Sequence, residues 1–171
     1  MTVSEDPFGP REGEISLQLP EAFDAGVYFI GRIRTPWGRR EDCPKNAAES
    51  SALCTIELDA RFEEGLEGVG TCTHLIALYW MDRAPRNLIR QRPRRYDEAR
   101  GVFALRSPAR PNPIALSVVE LIRIEGTRLT VRGLDCLDGT PLIDLKPYFA
   151  SADARPQARV GWHAARSEPS R

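Results

Sequence analysis

The stretch Arg106-Ser107-Pro108-Ala109-Arg110-Pro111-Asn112-Pro113 is the part of this chain best suited to holding a ligand. Three prolines in six residues remove three backbone donors and fix three φ angles. A regular strand would lose its ladder there, so the segment reads as a rigid, shaped loop. Arg106, Arg110 and Asn112 project from it. Forked donors on a rigid loop are what an anionic or planar polar ligand requires. A proline-rich turn with solvated arginines is the competing reading. Downstream, Asp135, Asp138 and Asp144 fall within ten residues, near an expected strand end. Asp138-Gly139 marks a turn with positive φ. Asp144 and Lys146 share one face of a strand, where a plain salt bridge competes with a role in a site.

Other chemistries are poorly represented. Cys43, Cys54, Cys72 and Cys136 form no C-x-x-C pair, so neither a disulfide framework nor a metal site is expected. Gly65, Gly68 and Gly70 have the wrong spacing for a dinucleotide fingerprint and read as a turn. His74 heads an apolar run and reads as a hydrogen-bonded structural histidine.

The elements that position these residues are mostly strands. The chain has 171 residues, 42% of them hydrophobic, and a formal net charge of zero, which suits one globular domain. No segment approaches the ~20 apolar residues of a membrane span, and the acidic N-terminus lacks a signal-peptide pattern. A cytoplasmic location is expected. Bulk positive charge is excluded as a means of binding nucleic acid. Charge is nevertheless uneven: residues 83–110 hold nine arginines against Asp97 and Glu98. The chain has 22 arginines and two lysines, so part of that bias is compositional.

Strands are expected over 27–35, 53–60, 74–81, 102–105, 114–124, 128–134 and 142–145, with turns at 125–127 and 137–141. Over Leu53–Leu58 the pattern alternates, with Cys54, Ile56 and Leu58 on one face. The run 74–81 is apolar enough to be buried on both faces. Residues 60–66 read as a helical turn, and 83–100 as an exposed loop, partly helical. Many short strands and few helices indicate an all-β fold, a small antiparallel β-barrel with few short helices. It would span 25–150, between a mobile acidic leader, 1–24, and a loose C-terminal tail, 151–171.

The strings GVFALRSPARPNPIALSVVEL and GLDCLDGTPLIDLKPY, with Ile30–Trp37 and Cys72–Leu75, resemble one family over residues 27–162, the TsaA-like or TrmO family. Its members are S-adenosylmethionine-dependent methyltransferases acting on N6 of threonylcarbamoyladenosine at tRNA position 37. The resemblance implies a β-barrel homodimer with the cofactor near the subunit interface and no metal. It implies cofactor contacts at Lys45, Asn46, Ala47, Asp82, Arg83, Arg106, Leu116, Gly133, Leu134 and Asp135. Asp135 suits the ribose hydroxyls, and Arg106 or Lys45 the methionine carboxylate. The tRNA anticodon loop is the implied partner. Candidates to hold it are Arg92, Arg94, Arg95, Arg110, Asn112 and Lys146, with Trp80, Tyr96 or Tyr148 stacking a splayed base. Asp138, Asp144 and Tyr148 are the candidates for a catalytic group. Two alternatives stay open: a methyltransferase for another RNA or a small molecule, and a non-catalytic RNA-binding barrel.

Overall fold

The structure is a computed structural model that describes residues 11–47, 50–93 and 96–164. Among these residues the strands are β1 (Ile15–Ser16), β2 (Gly31–Arg34), β3 (Leu53–Leu58), β4 (His74–Trp80), β5 (Leu88–Gln91), β6 (Arg100–Gly101), β7 (Ile114–Glu125), β8 (Arg128–Arg132) and β9 (Thr140–Pro147). Two four-residue helices follow, α1 (Ala150–Asp153) and α2 (Gly161–Ala164). Six strands close an antiparallel barrel in the order β2-β3-β8-β7-β4-β9, and β1-β5-β6 form a small separate sheet. The expected all-β barrel is therefore observed.

Alternation explains the barrel. On β3, Cys54, Ile56 and Leu58 are buried and the intervening residues less so. On β4, Leu75, Ala77 and Tyr79 face inward, while Ile76, Leu78 and Trp80 are half-buried on the outside. The run 74–81 is thus covered fully on one face only, because a barrel wall has one interior. Ile33, Val119, Leu129, Val131, Leu134, Cys136 and Leu142 complete the core. Two irregularities in register help so few strands to close. Ile143 lies extra in β9 opposite the Leu78–Tyr79 step, and Ile122 lies extra in β7 opposite β8. Such bulges bend a strand and increase its twist.

Glycine matters at two turns and where β2 approaches β3. Gly126 (φ 55) takes the first position of the two-residue β7–β8 loop, and Gly139 (φ 78) follows Asp138 at the expected turn. Gly31 lies where an added Cβ would stand 2.2 Å from the carbonyl oxygen of Glu57.

Two of the expected elements need correction. Residues 102–105 do not form a strand. Val102–Ala104 are a 3-10 turn, and the Arg110 guanidinium donates to the carbonyls of Val102 and Leu105. The loop 83–100 contains β5, and β6 begins at Arg100. In the segment 11–24, β1 pairs with β5. Glu14 accepts from the Arg11 side chain and from the Arg92 amide. Burial pushes the Glu14 carboxyl up, but these donors outweigh it and hold it below its usual range. In the segment 151–164, α2 lies against Tyr96 and Arg100. Trp162 meets Tyr96 edge-on at 5.2 Å, Arg100 lies over Trp162 at 5.0 Å, and the Tyr96 hydroxyl bonds His163 Nδ1 at 3.1 Å.

Candidate functional site

Strand register places the candidate residues. β2, β4 and β8 exit at one end of the barrel, where β3, β7 and β9 enter. We call this the upper end. The connection after β2 carries Lys45, Asn46 and Ala47. The one after β4 carries Asp82 and Arg83. The one before β7 carries Arg106, Arg110 and Asn112, and the β8–β9 connection carries Gly133, Leu134, Asp135 and Asp138. Leu116 is the third residue of β7, two steps below Ile114. All ten residues proposed to touch a cofactor thus belong to four connections, or the first turn of a strand, at one end.

Asp135 is the best-defined group. Its Oδ1 accepts from the Tyr79 hydroxyl at 3.0 Å, and that hydroxyl also bonds Ser117 Oγ at 2.9 Å. Among the described residues no second partner holds the carboxylate. Leu134 and Cys136 on either side are buried, so the backbone is pinned while Asp135 stays half-exposed. Gly133 (φ 103) brings this backbone against β7, where an added Cβ would lie 3.1 Å from the Val118 carbonyl oxygen. Burial pushes the Cys136 thiol up to about 12. Burial first, then the nearby Asp135 carboxylate, raises the Cys43 thiol. Both thiols are therefore neutral at pH 7 and neither serves as a nucleophile.

Arg106 and Leu116 are brought together: the Arg106 guanidinium donates to the Leu116 carbonyl at 2.9 Å. Asp138 is a tie in the wall. Its Oδ1 accepts from the Thr35 amide at 3.1 Å, its Oδ2 is 3.9 Å from Arg34, and its own amide bonds Trp37. The other two catalytic candidates lie elsewhere. Asp144 and Lys146 stand on the outer face of β9, paired to each other at 2.6 Å as their spacing predicts. Tyr148 bonds the backbone of His74 at the opposite end. Six residues of β4 separate that end from Trp80, about 20 Å at the usual strand rise. His74 itself is exposed and bonded to the Thr73 hydroxyl at 3.1 Å.

Most of the arginines in 83–110 are engaged. Arg86 lies between two rings, 5.1 Å from Phe23 and 5.2 Å from Trp80, and donates to the Pro111 carbonyl. Arg100, Arg106 and Arg110 make the contacts already given. Among the described residues, Arg83 and Arg92 have no side-chain partner, and Asn112 is exposed. Arg94 and Arg95 lie outside the described residues. The sequence reading missed two features, Arg86 between its two rings and the Tyr79–Ser117 pair. The second had a signal: two hydroxyl residues at inward positions of apolar strands.

Beside the upper end, the outer face of β4 and β7 is apolar. Trp80 faces Ile114, Leu78 faces Leu116, and Ile76 faces Val118. Ile114, Leu116 and Val118 are 41–44% exposed. The face is bordered by the Asp144–Lys146 pair on β9 and the Glu120–Arg132 pair where β7 meets β8. Among the described residues no helix is long and apolar enough to cross a membrane.

A family model described as the tRNA-methyltransferase O N-terminal domain matches residues 32–154. A relative from Rhizobium radiobacter, called a probable S-adenosyl-L-methionine-binding protein VirR, is 45% identical over 137 residues, covering 80% of this chain and 78% of its own. A tRNA (adenine(37)-N6)-methyltransferase from Eikenella corrodens is 54% identical over 67 residues, covering 37% of this chain and 38% of its own. The crystal structure of TrmO from Pseudomonas aeruginosa superposes with a TM-score of 0.68 at 37% identity, over 82% of this chain. The match spans 63% of that longer structure.

Proposed function

The chain belongs to the family of the tRNA-methyltransferase O N-terminal domain, and from that membership we propose that it is an S-adenosylmethionine-dependent methyltransferase whose acceptor is N6 of threonylcarbamoyladenosine at position 37 of tRNA. What carries the reading is the fixed, half-exposed carboxylate of Asp135 among four connections that meet at one barrel end. The donor set fits the cofactor. A carboxylate accepts ribose hydroxyls, the backbone of Gly133 and Leu134 offers peptide groups to an adenine edge, and Arg106 or Lys45 neutralises the methionine carboxylate. Ala47, Asn46, Asp82, Arg83 and Leu116 frame the same end.

When bound, S-adenosylmethionine supplies an electrophilic methyl group on a sulfonium. The chain's own task is positional: to hold the acceptor nitrogen in line and to exclude competing water. The acceptor sheds one proton on methylation. Asp138 is the candidate carboxylate at the upper end, while Asp144 lies on the outer face of β9 and Tyr148 at the opposite end.

The anticodon loop would lie against the arginine-rich connections, with its phosphates near Arg92, Arg94 and Arg95 and with Arg110, Asn112 and Lys146 as further candidates. Reversing Arg92, Arg94 and Arg95 to Glu is expected to weaken tRNA binding. It should also flatten the slope of log K against log salt by about 2, the share of three lost phosphate contacts. Filter binding at several salt concentrations measures this. An unchanged slope removes that surface from the proposal.

A second copy is the proposed occupant of the outer β4–β7 face. Both borders carry one acid and one base, so the patch is self-complementary about a two-fold axis. Wild-type protein should sediment at twice 19.1 kDa at tens of micromolar, and Val118→Glu at the single mass. A monomeric wild type overturns the dimer. The cytoplasm, where tRNA is modified, is the proposed location.

The decisive experiment is calorimetric titration of S-adenosylmethionine. Saturable binding supports the methyltransferase reading. Absence of binding favours the RNA-binding barrel, which needs no cofactor site. Methyl transfer to a small molecule or to another RNA, but not to tRNA, favours the remaining alternative.

A further inference from the structure

We infer that Tyr79, with Ser117 behind it, is the positioning device that aims the Asp135 carboxylate from inside the barrel. The inference rests on the reading of Asp135 as a cofactor contact. It adds two residues from the barrel wall to which the resemblance assigns no role.

The argument begins with a cost. Tyr79 is 2% exposed and Ser117 6%, in an interior otherwise lined by Ile33, Ile56, Leu75, Val119 and Leu142. Hydroxyls in such surroundings are unfavourable unless bonded. Both are bonded, and only one arrangement of protons is possible. A phenol carries one proton, and an ionised carboxylate only accepts. The proton on Tyr79 therefore lies along the 3.0 Å bond to Asp135 Oδ1. Ser117, 2.9 Å away, must then be the donor to the Tyr79 oxygen. The chain of bonds runs Ser117 to Tyr79 to Asp135, and each bond polarises the next.

Burial pushes the Tyr79 phenol far up, and the Asp135 charge pushes it further, so it stays a donor at every working pH. The Asp135 charge also acts on the Cys43 and Cys136 thiols, and burial with that charge raises both. Tyr79 comes from β4 and Ser117 from β7, so two neighbouring strands of the wall fix one side chain on the β8–β9 connection. The backbone around it is fixed separately by the buried Leu134 and Cys136 and by the approach of Gly133 to Val118. Asp135 is thus held at both ends of its side chain.

Tyr79→Phe keeps the ring and loses only the donor. With total tRNA as acceptor, we expect the KM for S-adenosylmethionine to rise about ten-fold, the effect of one charge-assisted hydrogen bond. At saturating cofactor, kcat should stay near wild type and the Kd for tRNA should not move. A merely structural role would change these together with the melting temperature. In an Asp135→Ala background, Tyr79→Phe should add nothing, because the group it aims is gone. Ser117→Ala should act in the same direction and less strongly, and it tests the chain even if Tyr79→Phe folds poorly. Wild-type cofactor affinity in Tyr79→Phe, with Asp135→Ala weakened, overturns this inference alone. Additive losses in the double variant do so too. Wild-type affinity in Asp135→Ala overturns the cofactor reading and this inference with it.

Discussion

Gly31→Ala is expected to cost about 3 kcal/mol or more, the upper end for overpacking, because the intruding Cβ meets backbone rather than a movable side chain. The added carbon would stand 2.2 Å from the Glu57 carbonyl oxygen and 3.0 Å from the Cα of Leu58. β3 cannot yield, since it is also paired with β8. β2 cannot move outward freely either, since Gly31 also faces Leu142 of β9. The four-residue β2 is therefore the seam between two halves of the wall, and the substitution wedges it open. Against a typical stability of about 5–15 kcal/mol such a loss is large. The midpoint of urea unfolding should fall sharply, and a wild-type midpoint would show that the seam relaxes at no cost.

Asp135→Ala is the second large effect, this time on binding. Loss of a charge-assisted hydrogen bond should weaken S-adenosylmethionine by about 1–3 kcal/mol, roughly five- to 150-fold. The fold should persist, because Leu134 and Cys136 still anchor the segment. Ligand-linked stabilisation gives an independent readout. At a cofactor concentration 100 times the wild-type Kd, binding adds about 2.7 kcal/mol of stability. If the variant binds 30-fold more weakly, that gain falls to about 0.9 kcal/mol by the same relation. The cofactor-induced rise in melting temperature should therefore be about a third as large in the variant as in the wild type. Equal responses would remove Asp135 from the site.

The legible parts of the fold share one property: their neighbours in sequence determine them. β3 could be read because Cys54, Ile56 and Leu58 alternate with polar residues and one face enters the barrel. The turns at Gly126 and Gly139 could be read because positive φ selects glycine locally. β1 and β5 were hidden because the pairing between them is distant in sequence. Leu88 and Ile89 lie among arginines, and their order depends on Ile15 and Ser16, some 70 residues earlier. Residues 102–105 mimic a strand by composition, yet Arg110 turns their carbonyls into a cap.

The same contrast holds for the site. Motif strings located Arg106, Leu116 and Asp135 in sequence, and register gathered them at one end. Nothing local reveals that Tyr79 supports Asp135, because that contact joins a strand and a connection 56 residues apart. Tyr148 belongs to the same motif string as Asp135, yet it lies at the far end of β4 because β9 runs the length of the barrel between them.

The wall closes only through β9, which follows every other barrel strand and pairs with both β2 and β4. A nascent chain must therefore carry β2 with an unpaired side for about a hundred further residues. At about 5–20 residues per second that is roughly 5–20 s on the ribosome. During that interval the exposed rows of amide and carbonyl groups on β2 and β4 are open to other strands. Slow, late ring closure of this kind makes production of this domain sensitive to translation speed and to growth temperature. Fragments ending before Thr140 should accumulate as aggregates rather than as soluble intermediates.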